Sequence, residues 1–312
     1  MSFKKAATGL GVTSALVAGS LELLKHKSAK YETEVERRQW FQGWAKDMVI
    51  PLFERAGTNI VGLENIPKNG PYIFTPKHTY GTDPFTAAHA GFMHDWDLEP
   101  VVLAKHQIEG WPIVPDLIYG TAIYINRVPG GTQTAESRNE EIFRIMDKLA
   151  TETVEVGGGK GATIIHPEGT RESRGVLPVK KGAFIAASLM SQKTGAPVAI
   201  IPIGIANNSP FRYAKGIISG RSKKKIEVTV GEAVWVDHTI IELFHGVKDP
   251  FTGEIWLDKH PEIQQKMEEL RGKILNATNQ SRSRCGMEPL TFIDTPSNTR
   301  RARRIGAKAL QR

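Results

Sequence analysis

The chain has 312 residues, 40% of them apolar, a net charge of +8 and a single cysteine, Cys285. This length holds one sizeable α/β domain or two small ones. The composition is that of a soluble globular protein without low-complexity tracts. One cysteine excludes an intrachain disulfide scaffold and a thiolate metal cluster, and fits a reducing compartment.

Residues 6–21, "AATGLGVTSALVAGSL", are uncharged and follow Lys4 and Lys5. They are too rich in Ala, Gly, Ser and Thr for a spanning helix, which needs about 20 strongly apolar residues. Leu10, Val17, Leu21 and Leu24 share one helical face, so an amphipathic helix lying on a membrane or packed on the chain is expected, with a cleaved signal as the second reading. Trp40, Trp44, Met48 and Leu52 then recur every four residues among Arg37, Arg38 and Lys46. Tryptophan suits the lipid headgroup boundary, and an aromatic stripe also suits burial against a main domain. Residues 1–57 are thus expected as membrane-associating helices.

From residue 58 short β-rich runs alternate with helical stretches. Strands are expected near 72–74, 101–104, 122–126, 162–166, 198–205 and 225–231, and helices over 84–93, 133–154, 181–193, 238–245 and 261–279. Nearly continuous apolar strands alternating with helices predict an α/β domain over 58–290, its mostly parallel central sheet flanked by helices. "GGGKG" (157–161) lacks the Ser or Thr and the spacing of a phosphate loop, so it reads as a turn. The tail, 291–312, ends in "NTRRARRIGAKALQR", with six basic and no acidic side chains. Nucleic acid, an anionic membrane face and a solvated end all fit such a tail.

In open α/β sheets the functional side chains gather where strands end. "PKHTYGTDPF" (76–85) follows the first expected strand and carries His78 and Asp83. Asp83-Pro84 reads as a helix start, with aspartate at the N-cap. A turn through Gly81 can fold His78 back onto the carboxylate, making a tuned general base; on this loop alone, a capping aspartate beside a space-filling histidine also fits. "HPEGTRE" (166–172) places Glu168 and Arg171 around Gly169 in another strand-exit loop, while Lys105 and Arg127 end two further strands. Three cations beside a base suggest a phosphorylated alcohol whose hydroxyl is deprotonated, with Glu168 accepting hydrogen bonds from a polyol.

H-x4-D at 78–83, Arg127, "PEGTR" at 167–171 and "IPI" at 201–203, in this order and spacing, resemble the glycerolipid acyltransferase family, which includes the 1-acylglycerol-3-phosphate acyltransferases. The resemblance runs from about residue 58 to 236. It implies a glycerol-3-phosphate acyltransferase-like fold, His78 as base, Asp83 orienting it, and Glu168, Gly169, Thr170, Arg171, Arg127 and Lys105 as the acceptor site. "KKGAF" (180–184) resembles a family stretch that belongs to the acceptor or donor groove. Lys77, Tyr80, His166 and Glu172 depart from the family's usual residues, respectively Asn, Ser, an aromatic and Ser. His166 reads as a packed or hydrogen-bonded histidine rather than a second base.

The implied activity moves a fatty acyl group to the sn-2 hydroxyl of 1-acyl-sn-glycerol 3-phosphate, giving phosphatidic acid; glycerol 3-phosphate or another lysolipid, lyso-aminolipids included, is the alternative acceptor. The acyl donor is acyl-CoA or an acyl carrier protein thioester, with no cofactor, metal or nucleic acid. An anionic membrane surface on the cytoplasmic side is the expected location. A metal-dependent hydrolase lacks its closely spaced ligand pair, and a purely lipid-binding protein needs no base.

Overall fold

The computed structural model describes residues 54–81, 83–95, 98–105, 122–125, 135–157, 161–209, 225–246 and 260–294, with a few isolated positions before residue 54. The expected N-terminal helices, including the Trp40–Trp44 stripe, Arg127 and the tail from 295 onward lie outside the described residues.

Strands β1 (Thr58–Val61), β2 (Tyr72–Pro76), β3 (Glu99–Lys105), β4 (Ala122–Ile125), β5 (Gly161–Ile164), β7 (Val198–Ala206), β8 (Ile226–Val230) and β9 (Val234–Val236) form one sheet. Its order is β1-β8-β7-β2-β5-β3-β4, with β9 also on β7. Pairing is parallel from β7 through β2, β5 and β3 to β4, whereas β8 and β9 run antiparallel to β7. The mixed α/β fold with a mostly parallel sheet is therefore present. Helices α1 (Asp83–His94), α2 (Ala135–Gly157), α3 (Gly182–Thr194), α4 (Thr239–Gly246) and α5 (Pro261–Arg284) flank it.

Alternation along the strands divides the core. Ile73 and Ile200 face the layer that holds Leu149, Phe184, Met190 and Ile274. Tyr72, Phe74 and Ile201 face the opposite layer, with Ala87, Ala90 and Leu98. Both sheet faces are thus covered, which is why β2, β7 and β8 are buried along their whole length. Gly204 lets α5 rest on β7, because a Cβ there would lie 2.1 Å from the Ala277 backbone.

A second sheet pairs β6 (Gly175–Val176) with β10 (Thr291–Phe292) in parallel. The first residues of the expected tail are therefore tied to the main fold. Arg271 of α5 reinforces this contact, donating to the Val176 and Ile293 carbonyls and sitting 4.6 Å from the centre of the Phe292 ring. Phe184, the last residue of "KKGAF", is fully buried in the core.

Candidate active site

Parallel strands bring their C-terminal ends to one edge. Pro76 of β2 pairs with Ile203 of β7, and Phe74 with Ile164 of β5, so the loops beginning at Lys77 and Ile165 leave the sheet side by side. Lys105, the last residue of β3, pairs with Ile125 of β4 farther along the same edge. Its side chain, like all of Arg127, lies outside the described residues.

His78 and Asp83 do meet. Nδ1 of His78 lies 3.3 Å from Oδ2 of Asp83. The expectation of a forward helix cap is corrected, because the same oxygen reaches back to accept the N–H groups of Thr79 (2.6 Å) and Tyr80 (2.7 Å). The other oxygen, Oδ1, accepts from Nδ2 of Asn208, a buried residue just past β7. Burial pushes the Asp83 carboxyl up to about 6, and these N–H donors oppose a further rise. Asn208 was not singled out in the sequence, although its place after a central strand is the signal that finds it.

His166 lies flat against His78, with ring centres 3.8 Å apart and planes 20° apart. Its Nδ1 is 3.2 Å from the Pro76 carbonyl, an acceptor, so Nδ1 carries the proton. Nε2 is buried with no hydrogen-bond partner among the described residues. Protonation would put a charge and an unmet N–H there, so burial, with His78 alongside, lowers the pKa to about 3. The ring is a neutral plate behind His78.

The "PEGTR" loop divides into an inner and an outer part. Gly169 has φ +68 and closes a turn with His166, its N–H donating to the His166 carbonyl at 3.0 Å. A Cβ at Gly169 would sit 2.8 Å from Lys180 Nζ. Glu168 turns inward, correcting the expectation that it accepts hydrogen bonds from a bound polyol. Its carboxylate receives Lys77 Nζ on both oxygens at 3.0 Å, the Leu177 N–H at 2.8 Å and the His78 N–H at 3.3 Å. Burial raises its pKa, and the Lys77 ammonium opposes that rise. Thr170 is half-buried and Arg171 exposed. Arg171 precedes Glu172, whose N–H donates to the His78 carbonyl at 2.8 Å, so the Arg171 backbone lies one residue from this contact.

Among the described residues there is no cluster of metal-ligating side chains and no helix long and apolar enough to cross a membrane.

Residues 57–206 match the family model Acyltransferase. The chain thus carries an acyltransferase-family segment over just under half of its length. The matched segment begins next to β1, ends with β7, and contains both the His78 loop and the "PEGTR" loop. One similar solved structure is the 1-acyl-sn-glycerophosphate (LPA) acyltransferase PlsC of Thermotoga maritima. It is 17% identical, with 84% of this chain and 97% of that chain covered and a TM-score of 0.42. A comparison with curated proteins found no match.

Proposed function

We propose that this chain moves a fatty acyl group from a thioester, on coenzyme A or acyl carrier protein, to the sn-2 hydroxyl of 1-acyl-sn-glycerol 3-phosphate. The observation that carries the reading is His78 Nδ1 facing the Asp83 carboxylate at 3.3 Å on the edge that also presents Arg171. With Nδ1 turned to Asp83, Nε2 of His78 is the nitrogen that takes the acceptor's hydroxyl proton. The hydroxyl oxygen attacks the thioester carbonyl carbon, the C–S bond breaks as the tetrahedral oxyanion collapses, and the imidazolium returns its proton to the thiolate. General-base assistance of this kind supplies roughly 10²–10⁴ in rate. Asp83 holds the ring and stabilises the imidazolium.

Arg171, with Thr170 beside it, receives the acceptor phosphate through the guanidinium's fork of N–H donors. Arg127 and Lys105 complete this anion site from neighbouring strand ends. The segment 1–57 and the basic tail bring the site to an anionic membrane surface on the cytoplasmic side, where each basic side chain contributes about 1 kcal/mol. The alternative acceptors, glycerol 3-phosphate and other lysolipids, share the attacking hydroxyl. A lysolipid panel with both donors, read by mass spectrometry, tests the assignment. Phosphatidic acid is the expected product. Acylation of an uncharged or aminolipid acceptor, with lysophosphatidic acid left untouched, would overturn it.

A further inference from the structure

Lys77 is fully buried although it opens the loop after β2 beside the site, and lysine is almost never found so. All three of its ammonium donors are used: two go to the Glu168 carboxylate at 3.0 Å and one to the Glu172 carbonyl at 2.6 Å. Its own N–H donates to the Ile203 carbonyl on β7 at 2.9 Å, so its backbone is fixed to the central sheet. Glu168 in turn accepts the N–H of His78, the next residue in the chain. The Glu172 N–H holds the His78 carbonyl. Both backbone polar groups of His78 therefore belong to the "PEGTR" loop, and Lys77 ties that loop down at two points.

We propose that Lys77 and Glu168 are positioning residues for His78: the buried ion pair clamps the 77–83 loop to the 167–174 loop and so fixes the histidine backbone against Asp83. This rests on His78 being the base. Glu168 then acts on the chemical step and touches no acceptor atom. Arg171, on the outer side of the same loop, is left to the acceptor. The clamp also accounts for the pairing of a lysine at 77 with a glutamate that turns inward. An ammonium reaches a buried carboxylate 91 residues away and a carbonyl four residues beyond it, and neutralises the carboxylate where water does not.

The test measures acyl transfer to lysophosphatidic acid in mixed vesicles by the full chain and its Lys77→Met, Glu168→Gln and double variants. Displacing a reacting group by an ångström costs about 10²-fold, so kcat is expected to fall at least about tenfold in each single variant. The acceptor KM is expected to stay within about twofold, as for loss of an interaction that acts only in the transition state. The double variant is expected to be no slower than the worse single one, because both changes break one contact. Lys77→Met strands a buried carboxylate, so the double variant and Glu168→Gln carry the test where the single one does not fold. A raised acceptor KM with unchanged kcat in Glu168→Gln would overturn the proposal, and so would a folded Lys77 variant at full kcat. His78→Ala run alongside separates the two claims: full activity there sinks the base assignment instead.

Discussion

Replacing His166 by phenylalanine keeps a flat ring against His78 and removes a titrating group. In the folded chain the His166 pKa lies at about 3, against 6.5 for a free histidine. A base whose folded pKa is depressed leaves stability intact above its unfolded pKa, and that stability is lost as pH falls below it. At pH 5 the unfolded chain holds this proton and the folded chain does not. The gap between 6.5 and 5 is 1.5 units, which at 1.36 kcal/mol per unit costs the folded state about 2 kcal/mol. Losing the Nδ1–H bond to the Pro76 carbonyl costs the phenylalanine variant about 1 kcal/mol, at every pH. The difference between two pH values therefore isolates the titration. Urea unfolding of both proteins at pH 7.5 and pH 5 is the assay. His166→Phe is expected to gain about 2 kcal/mol on the parent between those values, or about 4–8 °C in Tm for a domain of this size. Parallel pH dependence in the two proteins would refute the buried, unprotonated His166.

Three further sets of substitutions test the site and the tail. Asp83→Asn presents an NH2 group either to Asn208 or to the Thr79 and Tyr80 N–H groups, so kcat is expected to fall at least about 10²-fold with little change in acceptor KM, read by steady-state assay. The Asp83 carboxyl, raised to about 6 from 3.8 by burial, favours the folded state when protonated. Its contribution is full below 3.8 and lost as pH rises through 6, so the Asn variant is expected to show a flatter Tm between pH 4 and 6.5. Arg171→Ala is expected to raise the acceptor KM about tenfold or more with kcat largely kept, since a phosphate fork binds ground and transition states alike. Replacing Arg300, Arg301, Arg303 and Arg304 by glutamine is expected to weaken sedimentation with anionic vesicles well over about tenfold, at about 1 kcal/mol per side chain, and to leave neutral vesicles unaffected.

Much of the fold was legible because the sheet is buried on both faces. Continuous apolar runs locate β2, β3, β4, β5, β7 and β8, and the observed helices start and stop within a few residues of the expected ones. The short pieces escaped: β6 and β10 have two residues each and β9 three, too few for a period to register. In the site, the His78–Asp83 contact was one of two readings that the loop left open, through a turn at Gly81. The direction of the Asp83 carboxylate was not legible, since the backward bonds to Thr79 and Tyr80 depend on how the loop closes. Lys77 looked like a mere departure from a family spelling. Its partner is 91 residues away, and only the parallel pairing of β2 and β5 brings the two loops together. The same juxtaposition turns Glu168 inward and stacks His166 on His78, neither of which local spacing encodes.

The central claim is that His78 is the base that deprotonates the acceptor hydroxyl. Its most direct test is transfer of a labelled acyl group from acyl-CoA or acyl carrier protein to 1-acyl-sn-glycerol 3-phosphate by the full chain and by His78→Ala, with folding checked by circular dichroism. The variant is expected to fold and to lose at least about 10²-fold in rate. Labelled phosphatidic acid formed by folded His78→Ala at the parent rate would contradict the account.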